Sequence, residues 1–203
     1  NRKIEYGFTV RRSNIRTLPT SDGIFDSPDD RDFDLCQETA VDPAEPLVIL
    51  HSSLCGEWLY VQTYNYRGWM SAQDVTISSS RAEWLAYMDE QPYLVVTGHK
   101  LAVHLEQMSE TVIFEMGAKL PLAAENTAGG NGYLVKLPAS DSQGKLRFIN
   151  ALRYFCSGAS GCSDTLAFGV SPNRKSAHSV ESLLWKLNIE MILLYSAVWS
   201  LNR

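Results

Sequence analysis

The chain has 203 residues, enough for one large domain or two small ones. Charged residues make up 20% and hydrophobic residues 45%, an ordinary globular balance, and 18 Lys and Arg against 23 Asp and Glu leave a formal charge of -5. No basic stripe runs through the sequence, which argues against nucleic acid as a partner.

Residues 6–16 (YGFTVRRSNIR) alternate loosely and read as a first strand. Residues 21–34 carry six aspartates and Pro28, the composition of a solvated loop, with Phe33 and Leu35 anchoring its return. Residues 37–45 are polar and proline-bounded. Residues 46–74 then read as three short strands joined by tight turns. In the middle one, Trp58 and Tyr60 share one face and Leu59 and Val61 the other. Two apolar faces indicate a strand inside a small closed sheet. Asn65, Arg67 and Gly68 supply turn chemistry, Gly68-Trp69 opens a further strand, and 74–77 adds a short one. This pattern fits an SH3-like barrel and equally any small β-barrel or sandwich.

Ser78-Ser79-Ser80 forms a linker. Ser80 and Glu83 have capping-box spacing, and Trp84, Leu85 and Met88 give one apolar face, so a short helix is expected over 81–89, ended by Pro92. Strands are expected at 93–97, 101–105, 111–114, 118–122, 133–137 and 146–152. The first two form a hairpin candidate across Gly98-His99-Lys100. Residues 157–176 are rich in Gly and Ser and read as a loop. Val180, Leu183, Leu184, Leu187 and Met191 recur at helical spacing after a Ser179 cap, so 179–195 reads as a helix. Lys186, Asn188 and Glu190 interrupt it too often for a membrane span. Its apolar stripe needs a partner, and a homodimer through this helix would provide one.

The fold expected is therefore mainly β: two small SH3-like barrels in tandem, with a short linker helix and a C-terminal helix. The boundaries are 1–77, 78–91, 92–153 and 154–203. Cys36, Cys55, Cys156 and Cys162, with His51, His99, His104 and His178, show no metal-ligand spacing, so no metal and no other cofactor is expected. The four cysteines could pair in an exported protein, and reduced thiols are equally compatible. The opening residues Asn1 to Tyr6 lack the apolar core of a signal peptide.

Four stretches in order, YGFTVRRSNIRTLPT, DFDLCQETAVDPAEPLVILHSSLCGEWLYVQTYNYRGW, QPYLVVTGHK and GYLVKLPASDSQGKLRF, resemble a known region. It is the tandem bacterial SH3-like part that precedes an NlpC-type, papain-like cysteine peptidase in cell-wall hydrolases. The resemblance spans residues 6–153. It implies an exported protein, in the periplasm or cell wall, acting on peptidoglycan. That family cleaves the γ-D-glutamyl to diamino-acid bond of stem peptides, with a cysteine in an Asp-Cys-Ser motif at a helix N-terminus and a histidine base.

Here no such motif follows residue 195, and 154–178 fit the family poorly. Gly161-Cys162-Ser163-Asp164 has a superficial likeness, but too few residues follow Cys162 for a papain-like domain. No catalytic residue is therefore assigned within the 203 residues. The family's first barrel helps wall the site that receives a stem peptide with a free N-terminus. The candidates for that role are the aromatics Tyr64, Tyr66 and Trp69, with Asp22 from the acidic loop to meet an ammonium. The partner implied is a peptidoglycan stem peptide or muropeptide. A wall-binding or protein-binding module with no attached enzyme is the alternative.

Overall fold

A computed structural model describes residues 4–29, 31–90, 92–96, 98–105, 110–123 and 132–154. The helix expected over 179–195, the segment 157–176, Cys156, Cys162 and His178 lie outside the described residues.

The first half is an antiparallel sheet of seven strands: β1 (Glu5–Thr9), β2 (Ser13–Arg16), β3 (Gln37–Val41), β4 (Pro46–Ser52), β5 (Trp58–Gln62), β6 (Arg67–Ser71) and β7 (Val75–Ile77). Their order is β3-β2-β6-β5-β4-β1-β7. Among the described residues the hydrogen bonding does not close this sheet on itself. Its inner face buries Ile15, Leu47, Ile49, Val61 and Met70. The alternation along β5 puts Leu59 and Val61 in that core and leaves Trp58 and Tyr60 half-buried on the outer face.

Two local readings change. Residues 6–16 are two strands rather than one, because the chain corners at Val10–Arg12: the Val10 N–H donates to the Asp74 carbonyl at 2.8 Å. The polar segment 37–45 contains β3, which forms because β2 offers it a hydrogen-bonded edge.

The connecting helix, α1 (Arg81–Met88), starts where its cap sequence predicts. The Ser80 hydroxyl accepts from the Glu83 N–H at 3.2 Å. The Glu83 carboxylate reaches back to the Ser79 N–H and to the Ser78 and Ser79 hydroxyls. Burial alone would raise the Glu83 pKa, but these bonds outweigh it and hold the carboxyl below its usual value. Trp84 and Tyr87 are the buried residues of α1, packed on Phe8 and Val48 of the first sheet.

The second half has β8 (Tyr93–Val95), β9 (Lys100–Leu105), β10 (Glu110–Glu115), β11 (Lys119–Pro121), β12 (Gly132–Ser140) and β13 (Leu146–Tyr154). They pair as β9–β10, β8–β11 and β12–β13. The hairpin expected between 93–97 and 101–105 does not form. β8 pairs with β11 instead, where Gly117 at φ +95 turns the chain so that its N–H reaches the Val96 carbonyl at 2.7 Å. Leu101, Val103, Phe114, Leu120, Val135 and Leu137 share the core of this half.

The halves interlock. Ala44, in a left-handed turn at φ 64, belongs to the second core. Next to it, Asp42 accepts from the Glu115 N–H at 3.1 Å and from Arg12 at 2.7 Å. Tyr87 stacks on Phe148 with ring centroids 5.1 Å apart. An open cleft of about 290 Å³ lies along this seam, lined by residues including Arg12, Lys100, Ile113 and Glu115. Arg12 is already bridged there to Asp42 and Glu115, so the cleft reads as the seam's edge rather than a site.

Candidate functional site

The outer face of the first sheet carries a row of side chains across four strands. His51 opposes Tyr60, Tyr60 opposes Trp69, and Trp69 opposes Arg16. Residues directly opposite in an antiparallel ladder project to the same side, so the four form one ledge. The rings touch: His51 stacks on Tyr60 at 4.9 Å, and Trp69 lies 5.2 Å from Tyr60. Gly68 makes this row possible. A Cβ there would stand 2.5 Å from Ile15 and 2.8 Å from the Arg16 carbonyl, so a side chain would push β6 off β2.

A bulge flanks the row at each end. The β2–β3 register steps from Ile15↔Thr39 to Arg16↔Gln37, which leaves Glu38 as the extra residue. The β4–β5 register steps from Ile49↔Val61 to His51↔Tyr60, which leaves Leu50 extra. Bulges re-aim side chains. The second turns His51 onto the aromatic ledge, and the first turns Glu38 toward Tyr66.

Tyr66 donates its hydroxyl hydrogen to the Glu38 carboxylate. That bond, together with some burial and the nearby negative charge, raises the Tyr66 pKa above its ordinary value. The turn beneath Tyr66 is braced by buried Gln62, whose amide donates to the carbonyls of Thr63 at 2.7 Å and Tyr66 at 3.0 Å. Arg67 in turn donates to the Gln62 side-chain oxygen at 2.7 Å. The phenol is therefore aimed both by this braced turn and by the packing of its ring against the inner core of the sheet.

Arg16 ties the acidic loop to the ledge. Its guanidinium donates to the Asp34 carboxylate and to the Asp22 carbonyl, each at 2.6 Å. The N–H groups of Ile24 and Cys36, and the Arg16 charge, hold the Asp34 pKa below its usual value against a smaller effect of burial.

Of the residues expected from sequence, Trp69 lies in the ledge, whereas Tyr66 packs against the inner core and reaches Glu38 through its hydroxyl. Asp22 is exposed and enters the network through its backbone carbonyl rather than its carboxylate. Tyr64 is 51% exposed at the turn before Tyr66. Glu38, Arg16 and His51 were not anticipated. All three did carry a signal, since each lies in a stretch on which the family resemblance rests. Among the described residues, no group of three or more His, Cys, Asp or Glu side chains is placed to hold a metal. Cys36 is buried and Cys55 exposed, and neither is disulfide-bonded. No helix among the described residues is long and apolar enough to cross a membrane.

Residues 24–71 match the SH3 domain family of the SH3b1 type, so this stretch is a bacterial SH3 domain. The matched stretch contains Glu38, Tyr60, Tyr66 and Trp69. No curated protein matches the chain. Among solved structures, the chain is similar to a novel NlpC/P60 endopeptidase from Photobacterium damselae subsp. piscicida, at 21% identity and a TM-score of 0.61. The likeness covers 83% of this chain and 34% of that one, so the chain spans about a third of the length of that structure.

Proposed function

We propose that the chain is the non-catalytic, substrate-recognising region of a peptidoglycan hydrolase of the γ-D-glutamyl–diamino-acid endopeptidase kind. In this reading it acts outside the cytoplasm, in the periplasm or cell wall. Its parts are two SH3-like units, 1–77 and 92–153, joined through 78–91. The SH3b1 domain and the likeness to an NlpC/P60 endopeptidase support the reading.

The observation that carries it is the contact between the Tyr66 hydroxyl and the exposed Glu38 carboxylate. An ammonium brings three N–H donors and one positive charge. A carboxylate has about four acceptor positions, and the Tyr66 hydroxyl occupies one. Glu38 thus meets the free amine of a stem peptide, Tyr66 fixes the carboxylate's orientation, and Trp69 and Tyr64 offer ring surface. Asp22 adds negative charge at the approach. Exposed Leu18, Ile24, Phe33 and Leu35, all on the adjoining loop, favour a protein surface as its neighbour. In the reading proposed here that surface is the peptidase domain.

Calorimetric titration with L-Ala-γ-D-Glu-diaminopimelate tests this. The free-amine peptide should bind, and its N-acetylated form should bind on the order of tenfold more weakly or worse. Glu38→Gln should erase the difference. Equal affinity for the two peptides, or no binding of either, overturns the reading. The chain alone should release no L-Ala-γ-D-Glu from a muropeptide. Release that is lost on Cys162→Ala would contradict this.

A further inference from the structure

Between β2 and β3, the described residues of 17–36 contain no strand or helix, and only Cys36 among them is buried. Apart from half-buried Phe25, their large apolar side chains point outward, Phe33 at 80% exposure and Leu35 at 59%. Burial therefore contributes little to the shape of this loop, and hydrogen bonds hold most of it. Those bonds converge on one pair. Arg16 donates to one Asp34 oxygen at 2.6 Å, and the other Asp34 oxygen accepts from the N–H groups of Ile24 and Cys36, each at 3.0 Å. Arg16 also holds the Asp22 carbonyl. The Leu35 N–H then reaches the Ile24 carbonyl at 2.7 Å, closing the loop's neck.

Arg16 itself is 7% exposed. Its Nε finds no hydrogen-bond acceptor among the described residues, so the fold carries a desolvation cost to keep a guanidinium here. An apolar residue would fill the position without that cost. The backbone of Arg16 lies in the strand facing the Glu38 bulge, and its side chain clamps the loop that enters that bulge two residues before Glu38.

We propose that Arg16 is a positioning residue for amine recognition. By latching the loop through Asp34 and Asp22 it sets the bulge that presents Glu38 to Tyr66. This rests on the amine-binding reading above. Arg16 touches no ligand and acts through Glu38.

The test compares the free-amine and N-acetylated forms of L-Ala-γ-D-Glu-diaminopimelate by calorimetry on the 203-residue chain, its Arg16→Lys, Asp34→Asn and Tyr66→Phe variants, and the Arg16→Lys/Tyr66→Phe double variant. Lysine keeps the charge but loses the two-armed contact. Asparagine keeps an oxygen for the Ile24 and Cys36 amides while losing the acceptor for Arg16. Both single latch variants should lower the preference for the free amine on the order of tenfold. Protease cleavage within 17–36 should rise while the circular dichroism of the sheet is kept. Arg16→Lys should cost little further in the Tyr66→Phe background, because both act on one carboxylate. A wild type that prefers the free amine, with latch variants preferring it equally, overturns the positioning role alone. So does full additivity in the double variant. A wild type with no preference overturns the amine site and this role together. If Arg16→Lys fails to fold, Asp34→Asn decides by the same preference.

Discussion

The Trp84 indole N–H donates to the carbonyl of Gly7 at 3.0 Å, joining the helix to a strand 77 residues earlier. Both groups are buried, and Tyr6 packs against the same indole with ring centroids 5.0 Å apart. The helix is thus fastened to the first sheet by a specific polar contact inside an apolar cluster. Trp84→Phe keeps most of the apolar volume and leaves the Gly7 carbonyl without this donor. It should lower unfolding stability by about 1–3 kcal/mol. Trp84→Ala should cost about 3–5 kcal/mol. Urea denaturation measures both, and a Phe variant as stable as wild type would show that the bond contributes nothing.

Glu45 should make the seam between the halves sensitive to pH. Burial pushes its carboxyl up to about 7, Asp42 adds to the rise, and Lys119 opposes it. The folded protein therefore holds the proton more tightly than the unfolded chain, whose value lies near 4.5. The stability that neutral Glu45 supports is complete below about pH 4.5 and is lost as pH rises to about 7, after which it changes no further. Part of Glu45 remains exposed, so the loss should be roughly 1–3 kcal/mol. The difference in urea midpoint between pH 5 and pH 8 should shrink in Glu45→Gln. An unchanged difference would remove Glu45 as its source.

The Tyr66–Glu38 contact should be visible in the phenol's own titration. Ionising Tyr66 would end the bond it donates and set two negative charges side by side, which is why its pKa is raised. Glu38→Gln should move that titration back down toward the ordinary tyrosine value, as followed by the NMR shifts of the assigned Tyr66 ring. No movement would mean that the two side chains do not meet in solution.

The thiols should divide by burial. Cys55 is exposed in the turn between β4 and β5, whereas Cys36 is buried at the end of the acidic loop. Peptide mapping after brief alkylation should find Cys55 modified and Cys36 protected until urea is added. Early labelling of Cys36 would show that the neck of the loop opens readily.

Self-association is expected of the 203-residue chain. Leu183, Leu184, Leu187 and Met191 recur at helical spacing, and each such side chain is worth roughly 1.5–3 kcal/mol when buried. Sedimentation should show association that disappears on truncation after Tyr154, the last residue of β13. Two monomers would remove this expectation.

By itself the sequence determined what neighbours along the chain decide. The alternation Trp58, Leu59, Tyr60, Val61 specifies a strand with one aromatic face, and Ser80 with Glu83 specifies where the helix begins, because both signals act within a few residues. The stretches around Arg16 and Glu38 also marked the region as SH3-like. Only the tertiary structure decided which strands pair and where a pairing slips by one residue. Residues 93–97 looked ready to turn back onto 101–105, yet β8 pairs with β11 across an intervening hairpin. The polar β3 is a strand because β2 supplies its hydrogen bonds, and Glu38 reaches Tyr66 because that ladder bulges there. Arg16 stood at the end of the expected first strand, and it is a buried latch only because a loop 18 residues on returns Asp34 to it. Register and long-range ion pairs depend on partners that are distant in sequence, so no local pattern of residues announces them.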